Sequence, residues 1–411
     1  MKEDFFYSNW LQPIDKSHFE KVNASYFTSV YCRLLPFTPP IWPWPNRALA
    51  WYRFDLPARR RRKSDGSRVV AKPLIVIDPQ PRSLEEIFEP KVWARLKDLG
   101  ELAIHDGPGR MPAERFESCL PEMALLIGQS DMPKARLDRA SKLRAIINVE
   151  TNFLQNVDYD VCFERGIHVL APGSAFAKPV AEMALGMAID LCRGVTTADR
   201  AMRRGQERWL LDGAEGCFSL YGARMGLIGF GDLARAFTPL LAPFGCPIKA
   251  YDPWVSDHFM VGFGVASASL EEVLKTSQVI VVFAAVTSAN QGFLGKREFE
   301  MIAPGSVFLL MSRAGVVDFP EFLRQVESGR FRAATDVFPQ EPAPSGEPAR
   351  KVEGLLLSPH RAGAMTDALY EIGRQTVADA DLILRGLPPL SSRRAQRETV
   401  ALSRSKPIER S

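Results

Sequence analysis

The sequence predicts an α/β protein built from two parallel-sheet units. Three observations predict it. Short apolar runs alternate with amphipathic stretches from residue 73 to about 386, the rhythm of strand–helix–strand repeats. A glycine-punctuated turn, Gly229 to Ala234, joins one such run (MGLIGF) to a helix-like stretch. No apolar run approaches the roughly 20 residues needed to cross a bilayer as a helix. The length of 411 residues points to two or three domains.

Residues 1–72 stand apart. They are rich in aromatics and proline (FTPPIWPWP) and end in a basic run, Arg59 to Lys63, followed by SDGS. They predict an irregular arm with a hinge near Ser64–Ser67; a gene start placed too far upstream is the rival explanation. The basic run holds much of the net charge of +4 and reads as a solvated linker rather than a nucleic-acid contact. The charges at the start are followed by no apolar stretch of the signal-peptide kind. Six cysteines are scattered without a CxxC pair, against a disulfide scaffold. The expectation is a soluble cytoplasmic protein with no membrane and no nucleic-acid partner.

Residues 73–175 predict a small α/β domain. PLIVID, ELAIHD, ALLIGQ and LRAIINV read as strands, and residues 84–99 as one amphipathic helix ending before Gly100. A long helix, 177–204, leads into the second unit, 176–363. There MGLIGF, IKAYDP, VIVVFAA, VFLLM, FRAATDV and GLLLSPH read as strands. A further helix, 364–386, returns toward the first domain. Residues 387–411 are polar and basic and predict a frayed tail.

The glycine turn carries the first functional signal. Gly229 permits a sharp turn from strand to helix. Gly231 lacks a Cβ and lets phosphates approach the backbone, and Ala234 keeps the helix close to the strand. Asp252 ends the next apolar run and is placed to accept hydrogen bonds from ribose hydroxyls. A carboxylate there repels a 2′-phosphate, which favours NAD over NADP. The unit is therefore expected to be a Rossmann-type NAD-binding domain.

Three further residues follow predicted strand ends, where open α/β sheets bind ligands. His360 closes LLLSPH and has the proton chemistry of a general acid–base group. Glu341, in DVFPQEP, is a carboxylate able to hold an imidazole tautomer. Arg313, after VFLLMS, offers a planar fork to a carboxylate and polarises a carbonyl. The residues alone leave other roles open: a structural cap for His360, a solvent-facing turn for Glu341, a phosphate contact for Arg313.

From about residue 73 to 389 the chain resembles the D-isomer-specific 2-hydroxyacid dehydrogenase family, of the phosphoglycerate dehydrogenase-like kind. NVDYDVCFERGIHVLAPG, PVAEMALG, MGLIGFGDLAR, SRAGVVDFPEFLRQVESGRF, ATDVFPQEP and SPHRAG stand in family order. The resemblance implies that Arg313, Glu341 and His360 are catalytic and that Gly229, Gly231, Asp252 and Thr287 contact NAD, with no metal. It implies a smaller flavodoxin-like α/β substrate domain, 73–175 completed by the returning helix 364–389, and a cleft between the two domains. Residues 390–411 follow as a tail. It also implies a homodimer through helix 177–204 and oxidation of a D-2-hydroxy acid, or reduction of its 2-keto acid, by hydride transfer.

The sequence departs from that pattern in the segment after Ile147. The family has a glycine-containing loop whose N–H groups hold the substrate carboxylate; here NVETNFLQNVD has no glycine. Glu150 is read as pointing away from the cleft; pointing inward, it would repel an acid and favour a substrate bearing hydroxyls or a cation. Ala314 replaces the glycine of the usual RG pair. FAAVTSAN lacks the usual histidine and proline, leaving Thr287, which reads equally well as a cap. Asp336 reads as a support for its turn or as a residue that positions a catalytic neighbour, rather than as a catalyst itself, and His105, His168 and His258 show no metal-ligand spacing. Two other functions fit the same motifs: an NAD(H)-sensing corepressor-like protein with little turnover, and a dehydrogenase of a non-carboxylate substrate.

Overall fold

The structure is a computed structural model that describes residues 72–150 and 152–401. The aromatic arm and basic run expected in residues 1–71 lie outside the described residues.

Two sheets organise the chain. The first contains β1 (Leu74–Asp78), β2 (Glu101–Ile104), β3 (Met123–Gly128), β4 (Ala145–Ile147) and β5 (His168–Ala171). These five strands are parallel in the order β2-β1-β3-β4-β5. That is the flavodoxin-like 2-1-3-4-5 winding. The second contains β6 (Met225–Ile228), β7 (Ile248–Tyr251), β8 (Ala266–Ser267), β9 (Val279–Val282), β10 (Val307–Leu310), β11 (Arg332–Thr335) and β12 (Leu355–Leu357). All seven are parallel, ordered β8-β7-β6-β9-β10-β11-β12. The winding reverses at β6, so a crevice opens beyond the carboxyl ends of β6 and β9.

Both sheets are covered on two faces, which explains their near-continuous apolar strands. Successive side chains point to opposite faces. On β1, Ile75 and Ile77 join one core and Val76 the other. On β9, Val279 and Val281 pack on the face covered by helix Ala177–Arg193, while Ile280 and Val282 meet a phenylalanine cluster of Phe299, Phe308, Phe322 and Phe331.

Three expected elements differ. The helix expected over 84–99 is two: Leu84–Ile87, capped by Ser83 and Glu86, and Pro90–Leu99. A residue preceding proline is driven out of the helical region, so the chain extends before Pro90, which then starts the second helix. The helix expected over 177–204 breaks at Gly194, whose φ of +65° ends Ala177–Arg193 and turns the chain into Val195–Arg204.

The expected tail is ordered as far as residue 401. Residues Arg393–Arg394 form β13, antiparallel to β5 at the edge of the first sheet. The fully buried Asp379, on the returning helix Thr366–Leu384, explains this order. Its carboxylate accepts the backbone N–H groups of Leu390, Ser391 and Ser392 at 2.8, 2.9 and 2.7 Å. A buried carboxylate needs such partners, and it fastens the segment that supplies them. The same helix packs on the helices Leu84–Ile87 and Pro90–Leu99, with Arg374 paired to Glu89 at 2.6 Å.

Candidate active site

A cavity of about 3070 Å³ lies where loops from the carboxyl ends of both sheets meet. Ordinary small-molecule pockets hold about 300–1,000 Å³, so this one admits a dinucleotide and a second molecule together. Gly229, Gly231, Asp252, Thr287, Arg313, Glu341 and His360 all line it. Residues far apart in the chain are thus brought to one cleft.

The glycine turn leaves β6 with Gly229 at φ +90°. A Cβ there would lie 2.5 Å from the Ala284 backbone nitrogen, so both the conformation and the space require glycine. Gly231 differs: no atom lies within 4 Å of where its Cβ would be, and the backbone faces open cleft. Asp252 Oδ2 accepts the Phe230 N–H at 2.7 Å and Oδ1 accepts the Trp254 N–H at 2.9 Å. The carboxylate therefore ties the end of β7 to the glycine turn. Each oxygen keeps a further lone pair for a ligand hydroxyl, and its charge stands against an added phosphate. Bare backbone at Gly231 beside a fixed carboxylate fits a pyrophosphate and its neighbouring ribose. Thr287 is buried and shapes its own turn. Its N–H donates to Asn290 Oδ1 at 2.7 Å and its Oγ1 accepts the Ala289 N–H at 3.3 Å.

In the same cavity, His360 Nδ1 lies 2.5 Å from Glu341 Oε2. Glu341 Oε1 accepts the Phe338 N–H at 2.9 Å, which fixes the carboxylate on its own turn. Burial pushes the Glu341 pKa up; the hydrogen bond from His360, the Phe338 N–H and the nearby His360 and Arg313 charges together outweigh it, and the net shift is down. The carboxylate stays ionised beside the imidazole. With Nδ1 engaged, Nε2 is the ring atom left for other chemistry.

Arg313 follows β10 and donates from Nη1 to the Ser312 carbonyl at 2.8 Å. Its guanidinium opens on the cleft while protein crowds its other sides. That crowding lowers its pKa from the usual arginine value, opposed by the Glu341 charge. Arginine remains charged through any ordinary pH range.

His360 has φ +47°, an uncommon conformation for a residue with a Cβ. Such backbone persists where surrounding bonds over-determine it. Here Asp336, 2% exposed at the end of β11, supplies them. Its Oδ1 accepts Ser358 Oγ at 2.5 Å and the Arg361 N–H at 3.0 Å, and Oδ2 accepts the Ala362 N–H at 3.0 Å. The turn support expected of Asp336 is thus a clamp on both flanks of His360.

Glu150 does not point away. It is 6% exposed and sits in the cleft wall, where Oε1 accepts Arg82 Nε at 2.9 Å. Nothing in the sequence singles out Arg82; it follows β1 by only four residues, and proximity of strand ends was the one available signal. The repulsion expected of an inward carboxylate is therefore offset locally by a cation. Arg393, on the ordered C-terminal segment, also lines the cavity and lies over the Phe153 ring.

Residues 185–362 match the family described as D-isomer specific 2-hydroxyacid dehydrogenase, NAD binding domain. The solved structure of a phosphoglycerate oxidoreductase from Rhizobium etli is 42% identical, with 80% of this chain and 100% of that one covered and a TM-score of 0.73. The D-3-phosphoglycerate dehydrogenase of Escherichia coli K12 is 30% identical over 300 residues, 71% of each chain. This chain belongs to the D-isomer-specific 2-hydroxyacid dehydrogenase family. NAD is the cofactor of its second sheet domain. The D-3-phosphoglycerate dehydrogenase of Mycobacterium tuberculosis is 27% identical over 300 residues, 72% of this chain but 55% of that protein. The chain thus spans about half the length of several curated relatives that it matches. Among the described residues no helix is long and apolar enough to cross a membrane.

Proposed function

We propose that the protein is an NAD-dependent oxidoreductase that interconverts a D-2-hydroxy acid and its 2-keto acid. The observation that carries this reading is the His360–Glu341 pair at 2.5 Å, in the same cavity as Arg313 and the glycine turn. The catalytic lobe would comprise 73–175 and 364–389, and the NAD lobe 176–363. When bound, NAD supplies the hydride acceptor or donor.

The chain's own residues do the rest. Arg313 binds the substrate carboxylate and the neighbouring oxygen, and stabilises negative charge that develops there. In the oxidative direction His360 Nε2 takes the hydroxyl proton as hydride leaves the same carbon. In the reductive direction it returns a proton to the developing alkoxide. Glu341 holds the ring through Nδ1 and offsets the positive charge that the imidazole acquires. Gly231 and Asp252 receive the pyrophosphate and the adenosine ribose, and Thr287 lines the same binding cleft.

A second copy of the chain is the proposed partner. Helix Val195–Arg204 buries none of its residues within the chain, and Trp209, Leu210 and Leu211 are 66%, 90% and 85% exposed just beyond it. Large apolar side chains exposed side by side call for cover. Leu210→Asp/Leu211→Asp would shift the mass measured by light scattering from dimer to monomer.

The test of the activity is a panel of 2-keto acids assayed with NADH and NADPH by loss of nicotinamide absorbance. Wild type is expected to turn over with NADH. His360→Ala is expected to lose roughly 10²–10⁴ in kcat, while NADH binding, followed by its fluorescence, persists. Binding of NADH without turnover of any acid would favour the sensing role instead. Unchanged kcat in H360A would remove His360 from the reaction.

A further inference from the structure

The geometry points to the Arg82–Glu150 pair as a subsite for an uncharged, hydroxyl-bearing tail on the substrate, one that selects against a phosphate or second carboxylate. The inference rests on the activity proposed above and names its substrate class.

The pair stands on loops that leave the carboxyl ends of β1 and β4, both neighbours of β3. Arg82 and Glu150 line the same cavity as Arg313 and His360, which stand on the second sheet. With the carboxylate end of the substrate at Arg313 and its reacting carbon at His360, the rest of the molecule is left to the wall that carries the pair.

Two features of the pair determine what that wall accepts. The first is burial. The Glu150 side chain is 3% exposed and the Arg82 side chain 14%, so both charges are largely shielded from bulk water. Glu150 is anchored as well, its own N–H donating to Asn148 Oδ1 at 3.1 Å. A phosphate or carboxylate arriving at Arg82 would either sit beside the buried Glu150 charge or displace it and leave that charge without its cation. Both are costly in a poorly solvated site.

The second feature is the spare bonding capacity. Arg82 engages Glu150 through Nε, which leaves its Nη1 and Nη2 groups as donors. Among the described residues Glu150 Oε2 has no hydrogen-bond partner. The pair offers donors and an acceptor side by side while its charges cancel. A hydroxyl group, donor and acceptor in one, satisfies both; an anion satisfies only the donors and a cation only the acceptor. Asn152, another cleft residue on the same loop, adds an amide to the same wall.

The test compares tails on one reacting core: pyruvate, 3-hydroxypyruvate and 2-ketogluconate against 3-phosphohydroxypyruvate and 2-ketoglutarate, each with NADH. In parallel, calorimetry follows D-glycerate and 3-phospho-D-glycerate binding to the NADH-saturated protein. Wild type is expected to favour the hydroxylated tails in kcat/KM and in affinity by about tenfold or more over the anionic ones. Glu150→Gln, which leaves Arg82 with a net charge, is expected to move that ratio toward the anionic tails by about tenfold. Arg82→Lys keeps the charge pair and the fold but loses the forked donors. It should preserve the discrimination against anions and shrink the advantage of 3-hydroxypyruvate over pyruvate by about fivefold.

Wild type preferring the phosphorylated acid overturns the inference. So does a folded E150Q protein with unchanged ratios; should E150Q not fold, unchanged tail preference in R82K overturns it. A protein that neither reduces nor binds any of the acids overturns the proposed activity and this inference together. Turnover that ignores tail charge overturns this inference alone.

Discussion

The two sheets contribute to the cleft in different ways. The second sheet places its functional groups at strand ends: the glycine turn after β6, Asp252 after β7, Arg313 after β10, Asp336 after β11 and His360 after β12. Each position is set by a buried parallel strand whose register leaves little freedom. The first sheet contributes loops. Its wall is held by an ion pair between loops 68 residues apart and by a C-terminal segment fastened to Asp379. Shared chemistry suits groups fixed at strand ends, and selectivity suits groups carried on loops.

Substitutions on the second sheet should therefore remove turnover, and those on the first should redirect it. Arg313→Lys is expected to have the largest effect after loss of His360. It keeps the charge but not the bidentate fork, and kcat/KM should fall by roughly 10²–10³ with a 2-keto acid. A loss below threefold would take the carboxylate away from Arg313.

Asp336→Asn comes next. The amide keeps one accepting oxygen and sets an NH2 against the donors of the other, either Ser358 Oγ and the Arg361 N–H or the Ala362 N–H. Removing that acceptor should cost about 1–3 kcal/mol of stability in chemical denaturation. The His360 turn should loosen with it, so kcat should fall while NADH affinity holds. Falling stability with unchanged kcat would show that His360 keeps its conformation without the clamp.

Glu341→Gln has a smaller effect on stability, with a pH signature. The folded-state pKa of Glu341 is lowered, so its contribution is complete above the ordinary carboxylate pKa and is lost as pH falls through the depressed value. The melting temperatures of wild type and E341Q should differ by a constant amount at neutral pH and converge in acid. Convergence on the alkaline side would contradict the assigned sign. Because the pair is partly exposed, salt should narrow the neutral-pH gap.

The same contrast governs what the sequence made legible. Strands β6, β7 and β10 are short runs bounded by turn residues, and their functional residues follow within three positions. Local pattern thus locates Gly229, Asp252 and Arg313 with few competing positions. The helices were less legible where one residue interrupts an amphipathic period. Pro90 and Gly194 each divide a stretch whose apolar spacing continues beyond them. β5 is short and carries His168, and its pattern gave no separate strand expectation, although its pairing to β4 is regular.

By itself the sequence determined the α/β class, the glycine turn and the order of the residues that end strands, because apolar periodicity and glycine geometry act over a few neighbouring positions. Only the tertiary structure decided that Glu150 turns inward to Arg82, that Asp336 clamps the His360 turn, and that Asp379 draws the C-terminal segment into an edge strand. Each of these is a buried carboxylate choosing a partner. That choice depends on which donors folding brings within about 3 Å, and the linear order of residues carries no such distance.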